Sequence, residues 1–156
     1  MEPRRVLIVA NKTLFGKSLA DAVAAIVGRG PATFLLLVPA EIPDTPFVWE
    51  ESAVWKAAEA RAAQGVAAFT ALGAVVSARV GAHVPINAVK DALLGENFDE
   101  VVVSTLPLGI SAWVGLDLPN RIRSVTGLPV THVTSDPSEP EPVHTVPAWD
   151  RPSGRP

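Results

Sequence analysis

The chain contains no cysteine. That removes a disulfide framework, a thiolate nucleophile and any cysteine-ligated metal, and it suits a reducing compartment. An excess of positive charge is missing as well: 13 Lys and Arg stand against 16 Asp and Glu, a formal charge of -3. No basic field draws in nucleic acid. Long apolar runs are absent, since a stretch such as FLLLV falls far short of the roughly 20 residues that a membrane helix needs. Met1 to Arg5 also lacks the apolar stretch of a signal peptide. The expectation is a soluble, cytoplasmic protein with neither nucleic acid nor membrane as a partner. Histidine is scarce: His83, His132 and His144 have no metal-ligand spacing, so no metal site is expected. Ser104 and Ser111 lack the flanking glycines of a nucleophile elbow, which speaks against a hydrolase triad.

What is present is alternation. The 156 residues fit one domain able to bury a core without staples. Buried-strand candidates are RVLIVA at 5–10, TFLLLV at 33–38, 75–80, the β-branched run Val101, Val102 and Val103, and 128–133. Helices are expected over 14–27, 48–72, 86–94 and 118–125, the first with Leu19, Val23 and Ile26 on one face and Gly28 as its left-handed cap. Gly65 is the weak point of the second helix. Five strands with helices between them and no hairpin signals predict an α/β fold, a doubly wound parallel sheet with helices on both faces. Residues 1–134 form this domain. Residues 135–156, rich in Pro, Asp, Glu and Ser, read as a disordered or loosely docked tail.

Open parallel sheets place ligands at the carboxyl ends of their strands, near the point where the strand order reverses. Two loops qualify. The first, Asn11-Lys12-Thr13-Leu14-Phe15-Gly16-Lys17-Ser18, ends in Gly-Lys-Ser at P-loop spacing, but Asn11 stands where the first phosphate-wrapping glycine belongs. It reads either as a strand-to-helix turn with exposed lysines or as the lining of a nucleotide site through Lys12, Thr13 and the backbone. The second runs from Ser104 and Thr105 through Leu106, Pro107 and Gly109 to Ser111, where hydroxyls and amides suit phosphate oxygens. Its alternative is that Ser104 and Thr105 merely finish a buried strand. Asp99 and Glu100 read as a solvated edge ahead of that strand.

In wording and order, 4–133 resembles the universal stress protein family of the adenine nucleotide alpha hydrolase-like fold. VLIVANKT resembles its first strand and turn, FLLLVPA its second strand, ARVGAHVPINAVKDALLGENFDEVVVST its third strand, helix and fourth strand, and LDLPNRIRSVTGLPVTHV its last helix and strand. The resemblance implies strand order 3-2-1-4-5, a regulatory stress-response role rather than catalysis, and a homodimer joined through the last strand, Leu128 to Val133, for which an exposed apolar edge on that strand would give a physical motive. It further implies an adenine nucleotide, ATP with magnesium or AMP, in a cleft formed by Ala10, Asn11, Lys12, Thr13, Val38, Ser104, Thr105, Leu106, Pro107, Gly109 and Ser111. There Lys12 would meet phosphate and the backbone at Val38 the adenine edge. The chain departs from the family's glycine signature, Gly-x-x-Gly, nine residues, then Gly with Ser or Thr. Thr105 replaces the first glycine, Asp117 falls near the last pair, and the family's first-strand aspartate is Asn11. An empty cleft in a dimeric interaction module, and a weak nucleotide hydrolase, therefore stay open as alternatives.

Overall fold

The computed structural model describes residues 2–11, 14–40, 51–105 and 117–134. These hold β1 (Arg4–Val9), α1 (Lys17–Gly28), β2 (Ala32–Pro39), α2 (Glu51–Ala71), β3 (Val75–Gly81), α3 (Pro85–Leu93), β4 (Glu100–Thr105), α4 (Leu118–Thr126) and β5 (Val130–Thr134). The expected tail lies outside the described residues.

The sheet is all-parallel, in the order β3-β2-β1-β4-β5. This is the doubly wound α/β architecture that the alternating pattern predicts. Strands β1, β2 and β4 are buried on both faces, which is why they read as unbroken apolar runs rather than alternating ones. Val6, Ile8, Phe34, Leu36 and Val102 meet Leu19 and Val23 of α1 and Ala62 and Phe69 of α2. Leu7, Val9, Leu35, Val101 and Val103 meet Ile86 and Val89 of α3 and Ile122 of α4 on the other face.

Two glycines set how closely helices sit on the sheet. A Cβ at Gly65 of α2 would lie 2.5 Å from Leu36 Cδ2, and one at Gly81 of β3 would lie 2.6 Å from Ala88 Cβ of α3. Gly65 is thus less a flaw in its helix than the point of closest approach to β2.

Three expectations are corrected. Gly28 remains helical; Arg29 N–H closes the helix on Ile26 O at 3.1 Å, Gly30 N–H bonds Val27 O at 3.4 Å, and the positive φ of 137° belongs to Gly30. Of the acidic pair Asp99 is exposed as expected, but Glu100 is not: it is the first residue of β4, only 6% exposed, and its carboxylate takes Arg4 and, at 3.5 Å, Arg29. Asp99 Oδ2 accepts the Arg5 backbone N–H at 2.8 Å while Asp99 donates its own to Arg5 O at 2.7 Å. The acids cap the amino end of the sheet because β1 and α1 bring arginines there. At the other edge, Leu128, Val130 and Val133 turn inward onto the two cores, so β5 exposes backbone, Thr131, His132 and Thr134 rather than an apolar face.

Candidate functional site

The order 3-2-1-4-5 makes β1 and β4 neighbours although 91 positions separate Val9 from Glu100, and the next described helices after them, α1 and α4, pack on opposite faces. Open α/β sheets take their ligands at the carboxyl ends of strands where the order reverses in this way.

Ala10 and Asn11 continue β1 to that point. Ala10 N–H reaches Leu37 O at 3.2 Å, and Asn11 O accepts from Leu14 N–H at 3.3 Å to turn the chain toward α1. The Asn11 side chain is 3% exposed and both ends of its amide are used. Nδ2 donates to Pro39 O at 2.6 Å, tying β1 to the end of β2, and Oδ1 accepts from the guanidinium of Arg61 on α2. Donor and acceptor are both required, which an aspartate could not supply.

On β4, Ser104 and Thr105 are each 1% exposed. Strand alternation turns Ser104 toward the layer of α1 and α2 and Thr105 toward that of α3 and α4, because Val102 and Val103 face those layers. The two adjacent hydroxyls therefore do not converge. Thr105 Oγ1 lies 2.7 Å from Nε2 of His132 on β5. Burial, and then the charge of Arg123 on α4, holds the His132 imidazole below its ordinary pKa, which favours the neutral ring.

Val38 lies inside β2, wholly buried and in register with Val80. Lys12, Thr13, Leu106, Pro107, Gly109 and Ser111 lie outside the described residues. The Gly-Lys-Ser end of the P-loop-like stretch is described: Gly16 precedes the first turn of α1, and Lys17 Nζ lies 2.6 Å from Asp21 Oδ2. Asp117, at φ 54°, starts α4, and its carboxylate accepts from Asn120 Nδ2 at 3.0 and 3.1 Å. Aspartate is among the few residues besides glycine that take this backbone conformation at modest cost.

Sequence reasoning missed Arg61 and His132. In the alanine-rich α2 an arginine looks solvated, and only the packing of α2 across β2 brings it to Asn11. His132 could have been found, since a parallel partner for β4 carries it past Thr105 once the register is known. Among the described residues, no three His, Asp or Glu side chains gather as a metal ion would require, and no helix is long and apolar enough to cross a membrane.

No protein-family model and no curated protein matches the chain. Solved structures do. A universal stress protein in complex with cAMP superposes with a TM-score of 0.56 at 16% identity, over 85% of this chain and 97% of its own. A universal stress protein from Archaeoglobus fulgidus gives 0.57 at 11% identity, over 83% and 93%. A member of the universal stress protein family from Burkholderia pseudomallei gives 0.57 at 14% identity, over 82% and 93%. The five-stranded sheet, its order and its helices are thus those of the universal stress proteins, and this chain has their fold.

Proposed function

We propose that this protein is a universal stress protein-like regulatory protein that binds an adenine nucleotide in the crevice at the carboxyl ends of β1 and β4. The observation that carries the reading is the buried polar edge there: Asn11, Ser104 and Thr105 are buried together at the carboxyl ends of β1 and β4. Polar side chains at the carboxyl ends of strands stand where open α/β sheets take ligands. The complex of one structural neighbour with cAMP supports the adenine class. In this reading Ala10, Asn11, Lys12 and Thr13 form one wall. The loop from Ser104 and Thr105 through Leu106, Pro107, Gly109 and Ser111 forms the other, and the end of β2 at Val38 meets the adenine.

Calorimetric titration with ATP, ADP and AMP, with and without magnesium, tests it. Saturable binding that Lys12→Glu abolishes is the expected result; no heat and no thermal shift with any nucleotide overturns it.

A homodimer through β5 belongs to the same proposal. The strand is an edge of the sheet and its outward backbone groups are those that seek another strand. The role proposed is regulatory rather than hydrolytic.

A further inference from the structure

Arg61 carries more than a contact to Asn11. Its guanidinium stands at the crevice, partly buried on α2 between the buried Ala58 and Ala62, and among the described residues its hydrogen-bond partner is a neutral amide. The other arginines with carboxylates nearby are paired with them: Arg4 and Arg29 meet Glu100, and Arg5 and Arg79 meet Glu96. Among the described residues Arg61 is therefore held in place without being neutralised. One N–H is committed to Asn11 Oδ1, and a guanidinium has five.

The amide that holds it is itself fixed, because Nδ2 is bound to Pro39 O. An aspartate at position 11 would lose that donor and would cancel the charge of Arg61. It would also offer a hard oxygen to a divalent ion, which Asn11 does not: its single carbonyl oxygen already faces a cation, and magnesium placed there would be repelled by the guanidinium. Magnesium beside Asn11 does not fit this donor set. The planar fork of an arginine matches phosphate oxygens directly and supplies the positive charge that a metal would otherwise bring.

We infer that Arg61, positioned by Asn11, is a phosphate-contacting group of the crevice beside Lys12 and that the nucleotide is bound as its metal-free anion. This rests on the adenine-nucleotide reading above. It adds to that reading a second residue that meets the phosphate and why no metal is needed.

The test is calorimetric titration of the full chain with AMP, ATP and adenosine, in EDTA and in excess magnesium, using wild type, Arg61→Gln, Arg61→Lys and Asn11→Asp. Thermal melting of each variant confirms that it is folded. Wild type is expected to bind AMP and ATP in EDTA. Arg61→Gln is expected to weaken both by about tenfold or more, the loss of a charge-assisted hydrogen bond, while leaving adenosine unchanged. Arg61→Lys, which keeps the charge and loses the fork, falls between, and Asn11→Asp weakens nucleotide binding in EDTA by neutralising Arg61. Equal nucleotide affinity in wild type and Arg61→Gln, or ATP binding only with magnesium, overturns the inference and leaves the nucleotide reading standing. Binding of neither nucleotide nor adenosine overturns that reading, and the inference with it.

Discussion

Gly65 of α2 lies against Leu36 of β2 so closely that a methyl group added to it would sit 2.5 Å from Leu36 Cδ2. Leu36 is wholly buried, so the side chain that would have to yield has no open space to move into. For Gly65→Ala, overpacking of about 1–3 kcal/mol opposes a gain in helix propensity of about 1 kcal/mol, leaving a net loss near 1 kcal/mol. Gly81 differs in what it meets. The 2.6 Å neighbour is Ala88 Cβ, a methyl fixed to the backbone of α3, so the whole helix must shift. Gly81→Ala is expected to cost about 2 kcal/mol and more than Gly65→Ala. Ala88→Gly should recover part of that loss in the double variant, and denaturant unfolding of the four proteins in this cycle measures the coupling.

Glu100 anchors the amino end of the sheet. It is nearly buried while its partners Arg4 and Arg29 are about half exposed, at 48% and 56% of their side-chain surfaces. Because the arginines keep much of their hydration, Glu100→Ala is expected to cost about 1–2 kcal/mol rather than the 3–5 kcal/mol of a fully buried pair. Urea unfolding in low and high salt checks this. The wild type should lose part of the difference in high salt, whereas equal stabilities of wild type and variant at both salt levels would contradict the assignment.

His132 gives the protein a dependence on pH. Its folded pKa is lowered by burial and by Arg123, so near 6.5 the unfolded chain binds a proton that the folded chain resists. The stability is fully present above the unfolded value and declines as pH falls through it toward the folded one. Thermal midpoints measured from pH 8 to pH 5 should fall more steeply for wild type than for His132→Gln across this window. Parallel curves would remove His132 as the cause.

The proposed dimer through β5 has a backbone test. Val101 N–H bonds Pro129 O, and the parallel register then turns the N–H groups of Thr131 and Val133 toward β4 and that of His132 outward. His132→Pro deletes the outward donor and spares the ladder to β4. Sedimentation should show the wild type as a dimer, His132→Val as a dimer and His132→Pro as a monomer. A dimer that survives proline at position 132 uses another surface.

Most of the sheet could be read from the chain because its strands are buried on both sides. Val101 to Val103 and Phe34 to Val38 form runs that only a central parallel strand accommodates, and glycines or prolines separate them from helices. What stayed hidden depends on partners far away in the chain. Glu100 beside Asp99 looks like any solvated pair until Arg4 and Arg29 arrive from 96 and 71 positions away. Asn11 reads as a weakened phosphate loop, and its partner Arg61, 50 residues on, is one more charged residue in a polar helix face. Residue type reveals burial of apolar groups well, whereas the pairing of polar groups is decided by topology.

The adjacency of β1 and β4 also bears on how the protein is made. Strands β1, β2 and β3 pair as they leave the ribosome, since each next neighbour follows within the chain, but the second edge of β1 must wait for β4, 91 residues after β1 ends. Until then the nascent chain presents a bare apolar strand, the kind of surface that binds chaperones or other strands. Synthesis through Thr105 closes that gap. Stalling before it should leave an aggregation-prone half-sheet, and stalling after it a protected one.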